Sequence, residues 1–303
     1  MLRLLLSFTA AAMLTTQAIG QSAADVATAR LAYIDGDYAT SLAVLRPAAE
    51  AGDPVAQNVM GAAYDDGNGV PQDFVLAQQW YERAAAQDFA KSLHNLGLWY
   101  VEGRPGVPQD YAKAIGYYDR AAALDYDHAI NKRGRMHELG QGGEIDLEAA
   151  AELYQQAVDL GNHNAMSNLG RFYVRGDGVE EDMGYALQLF RQGAAAGNLS
   201  SMSNLGAMYK NGYGVGQDNL AAMALYRMAA ERGYADGAVN LAYELIEGEE
   251  GWRDPAAGYG WCLAGMAWDS NNQDLAEDCT YLAEQISAED RTSGEAKAAE
   301  LTR

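Results

Sequence analysis

From Asp53 onward the chain alternates between two helical patterns of apolar positions, joined by short polar loops. In "NAMSNLGRFYVRG" the residues Ala165, Met166, Leu169, Gly170 and Tyr173 recur at intervals of three and four, the spacing of one face of a helix. The loop "GDGVEED" interrupts the pattern, because its glycines disfavour continuation. "MGYALQLFRQGAAAGN" then resumes helical spacing. Ser203 to Tyr234, "SNLGAMYKNGYGVGQDNLAAMALYRMAAERGY", restates the whole order 36 residues further on.

Laid out this way, six copies run from Asp53 to about Asn271. A small residue recurs in the first helix as Gly61, Gly97, Gly134, Gly170, Gly206 and Ala242. A second glycine column is Gly67, Gly103, Gly140, Gly176, Gly212 and Gly248. An acidic column is Asp73, Asp110, Asp146, Asp182, Asp218 and Asp254. An aromatic column is Tyr81, Tyr118, Tyr154, Phe190 and Tyr226, with Cys262 in its sixth place. Each step is 36 residues apart from one of 37, whose extra residue falls in "GRPGVPQD".

Each column has a physical reading. The second glycine ends the first helix, where a residue with positive φ is wanted. The acid caps the second helix with a side-chain oxygen. That helix carries Ala77, Trp80, Tyr81, Ala84 and Ala85 on one face. It stops at Gly161, Gly197 or Gly233, and at Asp88, Asp125 or Asp269 in the other copies; Asp accepts left-handed dihedrals better than most residues. Small residues let the helices approach, and the aromatic column fills the remaining wedge. One hairpin cannot bury its own apolar face, so copies of this kind stack. The expected fold is all-α, a right-handed α-solenoid of stacked helical hairpins.

These columns resemble the Sel-one-like repeat family, a relative of the tetratricopeptide repeat. "AKSLHNLGLWYVEGRPGVPQDYAKAIGYYDRAAALDY" carries the family pattern almost completely. The resemblance implies a solenoid whose members mostly act as adaptors in signalling, secretion, quality control and envelope regulation. On either side of repeats spanning 53–271 stand two caps. Residues 21–52 read as a shorter hairpin turning at Gly36-Asp37. Residues 272–303 read as two helices, the second opened by a capping box at Ser287 and Asp290.

The N-terminus "MLRLLLSFTAAAMLTTQAIGQ" has Arg3, a short apolar run and small residues at Ala18 and Gly20. It reads as a signal peptide over 1–20, cleaved near Gly20-Gln21, with export to the periplasm or beyond. The run is too short to span a bilayer, so no membrane insertion is expected after cleavage. The net charge of −21 opposes nucleic acid and anionic lipid as partners.

Chemistry is hard to find. The chain has no nucleophile elbow, phosphate loop, H-E-x-x-H or C-x-x-C motif. The four histidines, His94, His128, His137 and His163, read as surface or helix-end residues rather than metal ligands. No cofactor is expected. Some cysteine-rich, secreted members of the resembling family are linked to β-lactamase activity, but their mark is a cysteine pair in each repeat. Here only Cys262 and Cys279 occur, on neighbouring antiparallel helices, where either a disulfide or two buried thiols fits.

Candidate partner-binding residues lie on the first helices. Asn95, Asn168, Asn204 and Asn240 form a column, with Lys132 in its third place. An asparagine there either bonds the backbone of an extended peptide or bonds the neighbouring repeat. The third copy departs most from the pattern, with Lys132, Arg133, Arg135 and His137. Arg133 replaces the apolar residue seen as Met60, Leu96, Leu169, Leu205 and Leu241. It either pairs internally, with Glu144 or Asp146, or grips a partner's carboxylate. The expected function is a non-enzymatic scaffold that binds another protein or an extended peptide, a regulatory or assembly adaptor of the cell envelope. The alternatives are a β-lactamase-like or cell-wall hydrolase and a secreted binder of host proteins.

Overall fold

The computed structural model of the protein describes residues 22–303; the expected signal peptide lies outside the described residues. Among those residues there are sixteen α-helices and no strand. The first is α1 (Ala23–Ile34), paired with α2 (Tyr38–Glu50). The repeating hairpins follow as α3 (Pro54–Asp66) with α4 (Phe74–Ala85), α5 (Ala90–Glu102) with α6 (Tyr111–Ala122), and α7 (Asp127–Leu139) with α8 (Leu147–Asp159). Next come α9 (His163–Arg175) with α10 (Met183–Ala195), α11 (Leu199–Asn211) with α12 (Asn219–Ala230), and α13 (Ala235–Glu247) with α14 (Pro255–Trp268). The chain finishes with α15 (Gln273–Glu284) and α16 (Ala288–Leu301). The fold class is the all-α solenoid that the periodicity predicts.

Contacts divide the chain into two compact units, the first ending at Ala129 and the second running from Ile130 to Arg303. In the first, the helices from α1 to α6 pack each on the next as far as α6, around Leu42, Leu45, Val59, Met60, Ala63 and Trp80. In the second, the succession continues from α8 to α15, and α16 folds back onto α14.

The acidic column does two jobs. Each carboxylate caps its helix: Asp110 Oδ1 accepts from the Lys113 N–H at 3.0 Å and Asp182 Oδ1 from Tyr185 at 2.9 Å. Asp73, Asp146, Asp218 and Asp254 cap in the same way. Each backbone N–H of the column also donates back to the first helix, as from Asp182 to the Tyr173 carbonyl at 3.0 Å. The third copy keeps this bond from Asp146 to His137, because it uses the main chain and is indifferent to the side chain.

The first glycine column is explained by the aromatic column of the same hairpin. A Cβ on Gly61 would stand 2.6 Å from the Tyr81 ring, and one on Gly97 2.5 Å from Tyr118. The corresponding distances are 2.8 Å for Gly134 and Tyr154, 2.5 Å for Gly170 and Phe190, and 2.7 Å for Gly206 and Tyr226. No such contact is tolerable, so only glycine admits the ring. The rings are buried. Two of them also reach the next copy edge-on, Tyr81 against Trp99 at 5.7 Å and Tyr154 against Phe172 at 5.3 Å. In the sixth hairpin the ring is gone and Cys262 takes its place; there Ala242 carries the methyl that the other copies exclude.

Three details of the pattern differ from expectation. The extra residue of the second copy is absorbed by a tight bridge, in which Arg104 and Val107 exchange backbone hydrogen bonds of 2.8 and 2.7 Å. Asp88 and Asp125 are left-handed, with φ of 54° and 55°, but Asp269 is not: the chain leaves α14 through an extended residue with φ −132°. Gly248 also has negative φ, −64°. It is needed for space instead, since a Cβ there would meet the Glu244 carbonyl at 2.2 Å.

The described ends take up their own polar groups. The first hairpin turns at Gly36 (φ 86°), and Asp37 caps α2. Ser287 Oγ accepts from the Asp290 N–H at 3.0 Å, and its hydroxyl donates to that carboxylate at 2.6 Å. Gly294 of α16 and Gly260 of α14 let those two helices touch almost backbone to backbone.

Gly170→Ala should cost about 1–3 kcal/mol in urea unfolding. In a Phe190→Ala background the same change should cost far less, and equal costs in the two backgrounds would remove the ring-in-glycine account. Burial also holds the hydroxyls of Tyr81, Tyr118, Tyr154 and Tyr226 well above the ordinary tyrosine range, reinforced by Asp65, Glu102, Glu138 and Glu244 respectively. Unfolded tyrosine ionises near pH 10, roughly. Above that pH the unfolded chain releases protons that the folded chain keeps, so stability is intact below it and falls as pH rises further. Phenolate absorbance should therefore show a delayed group of tyrosines that ionise together with loss of helical circular dichroism.

Candidate functional site

The asparagine column lies on the first helices, half-buried, one residue before the apolar position that faces the core. Its side chains reach back to the preceding copy. In the first unit Asn95 Nδ2 donates to Asn58 Oδ1 at 3.2 Å, and Ser92 donates to the same oxygen at 2.9 Å. In the second unit Asn168 donates to Asn131 Oδ1 at 3.0 Å, Asn204 to Ser167 Oγ at 3.1 Å and Asn240 to Ser203 Oγ at 3.0 Å. The acceptors Asn58, Asn131, Ser167 and Ser203 are all buried. The column is a ladder between repeats, each amide donating a hydrogen inside the fold.

A second set of polar links runs closer to the helix ends. Trp99 Nε1 donates to Asp65 at 3.1 Å. Glu138 accepts from the Tyr154 hydroxyl and from Arg171 Nη2, the latter at 3.0 Å. Lys210 pairs with the buried Glu244 at 2.7 Å. Tyr243 donates to Asp278 at 2.6 Å. The Tyr234 hydroxyl, pushed up to about 12 chiefly by burial, donates to Asp236 at 2.8 Å.

Lys132 and Arg133 stand on α7, both half-buried. Arg133 therefore does not sink into the core as Met60, Leu96, Leu169 and Leu241 do. The Asp146 carboxylate, one of its two expected partners, caps α8 through the Ala149 N–H at 3.0 Å. Cys262 and Cys279 form a disulfide joining α14 to α15, with Cα atoms 5.6 Å apart.

One grouping was not legible in the sequence. His94 is mid-helix and half-buried, with its ring 5.5 Å from Tyr126 and 6.2 Å from His128. The separation of 34 residues hides this pair, and only the repeat register could have revealed it. His128 and His163 are exposed near helix starts, and His137 is near a helix end. Among the described residues no cluster of three or more His, Cys, Asp or Glu is arranged to hold a metal ion. Among them, too, no helix is long and apolar enough to cross a membrane.

The model of the Sel1 repeat matches residues 54–89, 90–126, 127–162, 163–198 and 199–234. The chain belongs to the Sel1 repeat family. The sixth copy read from the sequence falls outside those ranges. A Sel1 repeat protein from Oxalobacter formigenes is similar in structure at a TM-score of 0.71 and 29% identity, over 80% of this chain and 97% of that one. A protective antigen of uropathogenic Escherichia coli strains with an SLR fold is similar at a TM-score of 0.66 and 30% identity. That match covers 93% of this chain and 62% of the antigen, so this chain spans under two thirds of the antigen's length. A search of curated proteins found no match. Sel1 repeat proteins are generally protein-interaction scaffolds and typically not enzymes.

Asn168→Ala strips the buried Asn131 oxygen of its donor and should cost about 1–3 kcal/mol in urea unfolding. Asn168→Asp should cost more, since a carboxylate would then face that oxygen.

Proposed function

We propose that this Sel1 repeat protein is an exported scaffold that binds another protein, as a regulatory or assembly adaptor of the cell envelope. The observation that carries this reading is the row of half-buried asparagines Asn168, Asn204 and Asn240 on α9, α11 and α13 of the second unit. A row that repeats once per hairpin suits a ligand that also repeats, such as the backbone of an extended segment. With one amide hydrogen donated to the preceding copy, each asparagine has a carboxamide oxygen to offer, an acceptor for a peptide N–H. We count α13 and α14 as a sixth hairpin of the array, with α1–α2 and α15–α16 as its caps.

Export is supported by the leader pattern at 1–20 and by the disulfide, which persists in an oxidising compartment.

The test is crosslinking in intact cells followed by affinity recovery, with periplasm, medium and cytoplasm separated first. Processed protein should appear outside the cytoplasm and yield a specific partner. Recovery of unprocessed cytoplasmic protein would overturn export. Turnover of a chromogenic β-lactam or of cell-wall fragments, with no partner recovered, would overturn the scaffold reading in favour of a hydrolase.

A further inference from the structure

The first helices of the second unit are sharply sorted by charge. The α9 helix carries Arg171 and Arg175 and no acid, and α11 carries Lys210 and no acid. From Ile130, α7 adds Lys132, Arg133 and Arg135 against Glu138. Beyond them the sign reverses: α13 carries Asp236, Glu244 and Glu247, and α15 four acids, neither with a basic residue. In a chain of net charge −21 this basic stretch is local and set beside the asparagine row.

Geometry places the basic groups on the row's own face. Asn168, Arg171 and Arg175 are spaced three and four apart on α9, so they share one side of the helix. Lys132 and Arg135 hold the equivalent places on α7. Arg135 and Arg175 are exposed. Arg171 is held in position: Glu138, itself fixed by the Tyr154 hydroxyl, takes Nη2, while the buried Nε has no hydrogen-bond partner. The guanidinium is thus oriented by Glu138, and its side chain remains 31% exposed, which is the part a ligand can reach.

We propose that the face of α7 and α9 binds an acidic, extended segment of a partner protein. The inference rests on the scaffold reading above. Carboxylates of the segment meet Arg135, Arg171 and Arg175, whose planar forks match a carboxylate. Its backbone N–H groups meet the oxygens of Asn168 and Asn204. A long polyanion is disfavoured, because the surrounding chain is strongly acidic and repels it. A short acidic stretch flanked by neutral residues matches basic groups confined to neighbouring first helices.

The probe is a fluorescein-labelled decapeptide of alternating Glu and Ala, titrated against the full chain and read by anisotropy. Controls are its Gln-for-Glu counterpart and a single-stranded oligonucleotide of equal charge. Saturable binding of the Glu peptide that weakens with added salt, without binding of either control, is expected. Arg135→Gln and Arg175→Gln, both at exposed sites, should each weaken it about three- to tenfold. Arg191→Gln and Arg227→Gln, exposed on α10 and α12, should leave it unchanged. No binding, equal binding of the oligonucleotide, or equal losses in all four variants would overturn the proposal. Self-association in sedimentation that disappears in the Arg135 and Arg175 variants would also overturn it, by giving the face to a second copy. A crosslinked partner that the Arg135 and Arg175 variants still capture would sink this inference and leave the scaffold reading intact. Failure to find any partner would sink the scaffold reading itself.

Discussion

Five aromatic rings, each lying where a glycine leaves no side chain, set the distance between the two helices of every hairpin from α3 to α12. The constraint is steric and mutual. The ring needs a helix surface without a methyl group, and the glycine, poor in a helix interior by roughly 1 kcal/mol, is justified only by the ring it admits. Burying that ring returns about 1.5–3 kcal/mol. The rest of the repeat follows from holding this contact: the alanines that flank it, the capping aspartate that starts the second helix in register, and the left-handed residues that end the helices at fixed lengths.

Links between copies are of a different kind. They join apolar contacts, such as Tyr81 with Trp99 and Tyr154 with Phe172, to polar bonds that are each modest in net worth. Asn204 to Ser167 and Asn240 to Ser203 add directional register to the apolar packing between hairpins. Lys210 with Glu244, and Arg171 with Glu138, do the same with charge. These groups lie on the face proposed above to meet a ligand, so that surface is partly built from the groups that align the repeats. Substitutions on it must be read for stability and binding together.

The columns of the fold were legible because a solenoid repeats its reasons: six capping aspartates and five glycine–ring pairs are harder to mistake than one. The departures were legible only as departures. The sequence marks Ala242 and Cys262 as odd, but not that the missing ring is what makes room for the methyl. It marks Gly248 as a helix end, yet packing against Glu244 and not a positive φ is why glycine is there. The asparagine column left two readings open. The side-chain bonds to Asn58, Asn131, Ser167 and Ser203 show where its hydrogens go, and those bonds join residues 37 apart, beyond the reach of helical periodicity. His94 with His128 was missed for the same reason.

Because each ring seats in a glycine about twenty residues before it, a hairpin from α3 to α12 carries its own spacer and borrows none from its neighbours. The spacing inside one hairpin is thus set apart from the contacts that fix its register on the next. The sixth hairpin is where that separation stops. Its ring has been exchanged for a sulfur bonded to the following helix, so this hairpin takes its hold from the element that comes next and not from a ring of its own.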